Sequence, residues 1–340
     1  MKQLTWRMSR TIPVLLAALA VVAIGLSIPH IASAVTPQDE AAASAPPASG
    51  EACAPPSSVL VEPFYGMQFV PLEDLATVKD LGVEVVLASL SHDGTPTDWL
   101  AYLDAAHALN LRVIPWLWPQ GWSWDGSSWQ IDAQAALFVQ SVAEHPALLA
   151  VYALHEPYWQ GCVGCGYTTA EQQALYDAIK DLADVPIYSE IGGIAYWTAY
   201  SPETAFEDGI CDYCSTWHYP FKDGGVYERE QSRAILEADL AVASERAPNS
   251  KIVWTMQAMV YAREHLRMPT GDEMRDHAAI VYASDVAGAW WYLWTFDGHY
   301  DDVLSNHPEL YPVVSEIYGR YVLPRKDIHC LYLPYVRRIP

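Results

Sequence analysis

Several side chains stand where an apolar run gives way to a turn-forming residue, and each is of a type that could do chemistry. In Ala153-Leu154-His155-Glu156-Pro157 a carboxyl sits between an apolar run and a proline that halts it. Held rigidly and partly desolvated there, it should have a pKa raised toward a proton donor's range. Ser189-Glu190 and Trp294-Thr295-Phe296-Asp297 end two further runs in a carboxyl, and Met256-Gln257-Ala258 ends one in an amide. Trp217-His218-Tyr219 sets an imidazole between two aromatics, a placement that suits a hydroxyl or a charged transition-state partner. The plain alternative for each acid is a solvated rim carboxylate, or for Glu156 an ion pair with a rim arginine. Metal ligation is weakly signalled, because the 11 histidines form no His-x-His or His-x-x-x-His pair. A metal-dependent deacetylase or phosphodiesterase would need His92, Asp93, His218 and Asp297 to converge on one ion. No metal or cofactor is expected.

The elements that must position these groups repeat along the chain. Eight apolar runs are legible: Phe64–Val70, Val83–Leu90, Arg112–Trp118, Leu148–Leu154, Pro186–Ile191, Tyr213–Tyr219, Lys251–Ala258 and Gly288–Thr295. Runs apolar on both faces are what a parallel sheet covered by helices requires. Between them lie segments of helical period. Thr168 with Glu171, and Thr270 with Glu273, have the spacing of capping boxes. Gly82, Asn110 and Asn249 stand just past helical stretches, where left-handed caps are expected. Eight strand–helix units without a long gap predict an α/β fold, a single (β/α)8 TIM barrel over residues 59–325. In such a barrel functional groups project from the C-terminal strand ends, where the side chains above stand. A doubly wound nucleotide-binding sheet is the alternative. The first strand runs into Pro71-Leu72-Glu73 and lacks the Gly-x-Gly-x-x-Gly turn that such a sheet would carry. Gly-x-Ser-x-Gly and the Walker and kinase phosphate loops are absent too.

With Leu154-His155-Glu156-Pro157 after the fourth strand, an aromatic sixth strand, and Trp290-Trp291-Tyr292-Leu293-Trp294 on the eighth, residues 60–322 resemble a family. It is the TIM-barrel superfamily of retaining glycoside hydrolases with catalytic acids on strands four and seven. The resemblance implies a carbohydrate substrate and makes Glu156 the general acid/base of an Asn-Glu-Pro motif. His155 replaces the Asn that would bond a sugar 2-hydroxyl. Gln257 stands where the nucleophilic Glu should be, and an amide cannot form the glycosyl-enzyme ester, so the two-carboxylate mechanism does not carry over intact. Three accounts meet that gap. Asp297 and Glu190 are the candidates for a second catalytic carboxyl that activates water: Asp297, across the mouth from strand four, could reach the wider spacing of an inverting pair, while Glu190 is better placed to perturb Glu156. An N-acetyl substrate could supply its own nucleophile, oriented by Gln257. Or the barrel could bind glycan at the cell envelope without cleaving it. His155, Trp118, Trp217, His218, Tyr219, Gln257 and Trp294 are the candidate substrate contacts, with Trp197 and Trp291 as further platforms. Trp116, Trp118, Trp122 and Trp124 crowd a loop that runs on to Asp125-Gly126. Some must be core, and at least one should offer a flat face to a sugar.

Lys2, Arg7 and Arg10 precede the apolar run Ile12–Ile28, and Ala32-Ser33-Ala34 closes it, as in a secretory signal over 1–34. An uncleaved anchor is the alternative reading. Residues 35–58, rich in Ala, Pro and Ser, read as a linker, and 326–340 as a tail. Export favours disulfides for Cys162/Cys165 and Cys211/Cys214, within or between the two loops, over a four-thiolate zinc site, and Cys53 and Cys330 could tie the domain's ends together. With 14 Trp, 21 Tyr and only 6 Phe, the aromatics are mostly those that carry a polar handle, as a wet cleft needs. The formal net charge of −22 makes nucleic acid a poor partner and disfavours polyanionic glycans. No membrane partner is expected beyond the signal segment, and the sequence leaves the oligomeric state open.

Overall fold

Among the described residues eight parallel strands alternate with eight α-helices. The strands are β1 Phe64–Val70, β2 Val85–Ala88, β3 Arg112–Ile114, β4 Val151–His155, β5 Ile187–Glu190, β6 Tyr213–Trp217, β7 Lys251–Gln257 and β8 Gly288–Tyr292. The helices that follow them in turn are α1 Leu75–Asp80, α2 Pro96–Ala108, α3 Ala133–Val142, α4 Thr169–Lys180, α5 Ile194–Tyr200, α6 Arg229–Arg246, α7 Gly271–Ala283 and α8 Tyr311–Ile317. This computed structural model describes residue 60 and residues 62–88, 96–117, 121–158, 166–295 and 300–326. All belong to one compact unit, Ala52–Pro340.

The strands hydrogen-bond in the order β3-β2-β1-β8-β7-β6-β5-β4. Isolated parallel bridges, Val113 to Leu148 and Trp116 to Tyr152, join β3 to β4, so the sheet forms a nearly closed (β/α)8 barrel. β1, β2, β5 and β8 are buried along their whole length, as strands covered by helices outside and core inside must be. Two strands carry a register shift near their C-terminal ends, β1 between Gln68 and Val70 and β4 between Tyr152 and Leu154. Such irregularities re-aim side chains.

Both capping boxes form. The Thr168 hydroxyl accepts from the Glu171 amide and the Glu171 carboxylate from the Thr168 amide, and Thr270 and Glu273 repeat this on α7. Gly82 and Asn110 adopt left-handed φ values of 90° and 54°. Asn249 does not: its side chain donates instead to Asp208 at 2.9 Å, so α6 ends without the left-handed cap expected there. Cys211, just before β6, and Cys214, the second residue of β6, form a disulfide with each other. The proposed signal, linker and tail, and Cys53, Cys162, Cys165 and Cys330, lie outside the described residues. Among the described residues no helix is long and apolar enough to cross a membrane.

Candidate active site

Glu156 is the first residue beyond β4, and its backbone is unusual. The residue before a proline is ordinarily extended, yet Glu156 has φ of 46° in the left-handed region. Its amide donates to the Glu190 carbonyl at 2.8 Å, which latches the turn to β5. Pro157 continues the hold, its carbonyl accepting from the amides of Gly166 and Tyr167, both at 2.7 Å. A non-glycine residue in this conformation costs on the order of 1–3 kcal/mol, a cost met by the surrounding structure and typical of functional sites. The carboxyl that results is 25% exposed. Burial raises its pKa above the ordinary carboxylate value; the neighbouring His155 pulls it down, and Glu190 and Glu264 push it further up.

Glu190, at the end of β5, is only 2% exposed, and its oxygens are occupied. It accepts from the Tyr152 hydroxyl at 2.7 Å, from His155 Nδ1 at 2.9 Å and from Gln68 Nε2 at 3.2 Å. The register shifts in β1 and β4 sit beside Gln68 and Tyr152, two of these donors. Because Nδ1 faces a carboxylate, it carries the proton, and the tautomer of His155 is fixed. Burial alone would lower the pKa of His155; the hydrogen bond and charge of Glu190, with the charge of Glu156, outweigh it and raise the pKa. Nε2 then faces Glu156, 3.9 Å from its Oε2. The three groups form a row, with Glu190 buried, His155 between, and Glu156 at the opening.

They open into a cavity of about 160 Å³ lined by His155, Glu156, Glu190, Trp217, Tyr219, Met259, Tyr261, Glu264, Leu266, Tyr292 and Tyr300. One wall is a graded stack of rings. Trp217 lies over Tyr219 at 22° and 6.3 Å, and Tyr219 over Tyr292 at 23° and 5.9 Å, with the hydroxyls of Tyr292 and Tyr300 in contact. Gly192 admits Trp217 to this stack: a Cβ there would stand 2.3 Å from the indole ring, and its φ of 62° suits glycine. A larger groove of about 1050 Å³ lies at the opposite end of the barrel, where β7 begins. It lacks the convergent acid, imidazole and aromatic groups, and chemistry in this fold belongs to the C-terminal strand ends.

The sequence matches no family model and no curated protein. Solved structures share the fold. GH5_18 from Streptomyces cattleya, in complex with GlcNAc, is 12% identical with a TM-score of 0.52, covering 76% of this chain and 80% of that one. A variant of the same protein in complex with Manb1-4GlcNAc gives 0.54, at 12% identity and 77% and 81% coverage. The exo-beta-1,4-mannosidase Op5Man5 from Opitutaceae bacterium strain TAV5 gives 0.50, at 12% identity, with 78% of this chain covered and 60% of that one. These neighbours are glycoside hydrolases, and at such identities the likeness is one of fold.

Of the residues singled out from sequence, His155, Glu156, Glu190, Trp217 and Tyr219 meet in this cavity. The other described ones do not. Gln257 is 0% exposed and fully committed to backbone. Its Oε1 accepts from the Phe221 amide at 3.0 Å, and its Nε2 donates to the Phe221 and Arg267 carbonyls at 2.9 and 2.8 Å. It pins two loops and presents nothing to a substrate. Trp294 is core: its indole donates to Asp74 at 2.7 Å and stacks on Tyr311. The same holds for Trp291, whose indole donates to the Tyr65 hydroxyl at 2.6 Å. A buried ring of this size contributes roughly 4–6 kcal/mol of apolar burial, more than a rim contact offers. His218 turns toward α6, its Nδ1 3.1 Å from Ser232 Oγ, and burial lowers its pKa. Trp197 packs against Tyr158 and Tyr196. In the tryptophan-rich loop Trp122 is core, donating to the Ala153 carbonyl, while half-buried Trp116 stacks on Tyr152. Asp297, Trp118, His92 and Asp93 lie outside the described residues. Among those described, no group of three or more His, Cys, Asp or Glu could hold a metal ion. Sequence reasoning missed Tyr152, Gln68, Tyr261, Glu264, Tyr292 and Tyr300 as site residues.

Proposed function

We propose that the protein hydrolyses O-glycosidic bonds of a neutral or N-acetylated glycan, with Glu156 as the general acid. The observation that carries this is the left-handed, raised-pKa carboxyl of Glu156 at an aromatic-walled cavity beyond the C-terminal strand ends. A carboxyl that keeps its proton above the ordinary range can deliver it to a glycosidic oxygen as the bond to the anomeric carbon breaks. Planar rings beside it suit the apolar face of a pyranose. His155 and Glu190 position Glu156: the imidazole approaches one of its oxygens, and the buried carboxylate orients the imidazole. The glycoside hydrolases of like fold support the substrate class, and the GlcNAc held by one of them places N-acetyl sugars among those to test. The signal-like pattern of residues 1–34 and the Cys211–Cys214 disulfide support an extracytoplasmic setting.

The test is release of reducing ends from a panel of neutral and N-acetylated glycans, run beside Glu156→Gln. Cleavage of one glycan, with a loss of about a hundredfold or more in the variant, supports the reading. A second reading, glycan binding without cleavage, is favoured by the commitment of Gln257 to backbone, which leaves the usual nucleophile position structural. Quenching of tryptophan fluorescence by a glycan that neither protein cleaves would favour it.

A further inference from the structure

Gln257 leaves the barrel without a carboxylate at the end of β7, yet the chain beyond it lines the cavity with Met259 and Tyr261 and, seven residues on, with an acid, Glu264. Beyond Gln257 a two-residue strand, Met259–Val260, pairs antiparallel with Asp302–Val303, and the 3-10 turn Ala262–Glu264 follows. The turn is closed on itself. The Tyr261 amide donates to the Leu266 carbonyl at 3.1 Å, the Leu266 amide to the Tyr261 carbonyl at 3.0 Å, and the Glu264 amide to the Tyr261 carbonyl at 3.1 Å. His265, at φ 57°, reverses the chain. From outside, the Asp301 carboxylate accepts from the Ala262 amide at 2.7 Å, and Gln257 holds the Arg267 carbonyl just beyond. An exposed acid on a surface loop is ordinarily solvated and uninformative. This one stands on a turn braced from three sides, and it lines the same cavity as Glu156.

We propose that Glu264 is the second catalytic carboxylate, the base that activates water opposite Glu156. The inference rests on the glycosidase reading above. In the barrel order β4 and β7 are three strands apart, so the loop beyond β7 faces the end of β4 across the mouth. Two carboxylates flanking a scissile bond from opposite walls are what glycoside hydrolysis requires. Glu156 gives its proton to the glycosidic oxygen, which leaves with the electron pair of the broken bond to the anomeric carbon. Glu264 takes a proton from water, whose oxygen forms the new bond to that carbon from the other side. The products are a hemiacetal, which is the new reducing end, and the alcohol of the leaving group, and return of the proton from Glu264 to Glu156 through solvent resets the pair. The three acids among the described residues of the cavity thus divide their work. Burial raises the pKa of Glu156, Glu190 is consumed by three donors, and Glu264, the exposed one, is left to meet water.

The test pairs catalysis with binding. Glu264→Ala and Glu264→Gln, on a glycan that the wild-type protein cleaves, should lose about a thousandfold in kcat with little change in KM and no change in Tm. Molar sodium azide should restore turnover to Glu264→Ala and yield a glycosyl azide of inverted anomeric configuration. Retention of kcat within threefold, with the pH profile unaltered, overturns the assignment while leaving Glu156 and the glycosidase reading intact. Where the wild-type protein cleaves none of the panel, a cationic iminosugar such as deoxynojirimycin serves as probe. Binding weakened tenfold or more by Glu264→Gln would keep the carboxylate at the anomeric position and charge the failure to the choice of substrate. Binding that Glu264→Gln leaves unchanged, or no binding by the wild-type protein, overturns the role of Glu264.

Discussion

A single side chain can be both the most strained and the most useful in a site, and Glu156 separates the two properties by substitution. Asparagine tolerates the left-handed conformation better than glutamate and carries no buried charge. Glu156→Asn is therefore expected to be as stable as the wild-type protein at pH 7, or more so by about 1 kcal/mol, with its activity lost. Thermal unfolding beside a turnover assay checks this; a lowered Tm would instead mark Glu156 as a structural ion-pair partner. The pH dependence has a definite sign. Because the folded-state pKa is raised, the unfolded chain releases this proton first, and stability falls as pH rises from the ordinary 4.5 through the raised value. Glu156→Gln should lack that decline, and the two stabilities should converge in acid. His155 tests the row from its other end. With Glu190→Gln, burial is no longer outweighed by the buried carboxylate, so the imidazole pKa should fall from its raised value, as followed by NMR of the ring protons. An unchanged titration would mean that His155 does not depend on Glu190.

Elements, more than residues, were legible in the sequence. All eight strands lie within the apolar runs that announce them or overrun them by one residue, because burial on both faces leaves no alternation to misread. Both capping boxes were readable because their signal is local, two side chains three residues apart. The site was legible only where it lies on a strand end. Tyr152 and His155, three apart, both reach Glu190, a meeting that strict strand alternation forbids and the register shift in β4 permits. Glu264 was hidden differently: it lies on a loop whose geometry depends on Gln257, Asp301 and a strand pair that no periodicity reveals. Trp294 and Gln257 misled because a strand-end position does not say whether a side chain faces the cavity or a neighbouring loop. The α7 cap joins these levels. Glu273 closes the capping box and also binds Arg267, whose carbonyl Gln257 holds; chiefly through Arg267, its pKa is lowered to about 2. Glu273→Ala is expected to cost about 1–2 kcal/mol near pH 7. Lowered in the folded state, Glu273 contributes stability that is present above the ordinary 4.5 and lost as pH falls toward 2. Denaturant titrations of both proteins should therefore converge at the acid end, and a gap that persists there would assign the loss to packing.

On the scale of the whole molecule, charge selects what can enter. The chain carries 41 acids against 19 lysines and arginines, and the cavity repeats that imbalance, with three glutamates and no lysine or arginine among the described residues that line it. A neutral glycan approaches without electrostatic work, so its kcat/KM should change less than twofold between low ionic strength and about 0.5 M salt. A polyanionic glycan of the same backbone meets a like-charged field that slows encounter, and screening relieves it. Its kcat/KM should lie well below that of the neutral counterpart in low salt and rise as salt is added. Sulfated or carboxylated and unmodified versions of one oligosaccharide, compared across a salt series, provide the measurement. Equal rates at low salt would place substrate entry outside the acidic field. The same comparison reaches the row of acids in the cavity, because added salt screens the approach far better than the buried Glu190 or the partly buried Glu156. If added salt removes only part of the discrimination, the remainder belongs to the cavity, and Glu264→Gln should reduce that remainder without altering the salt-sensitive part.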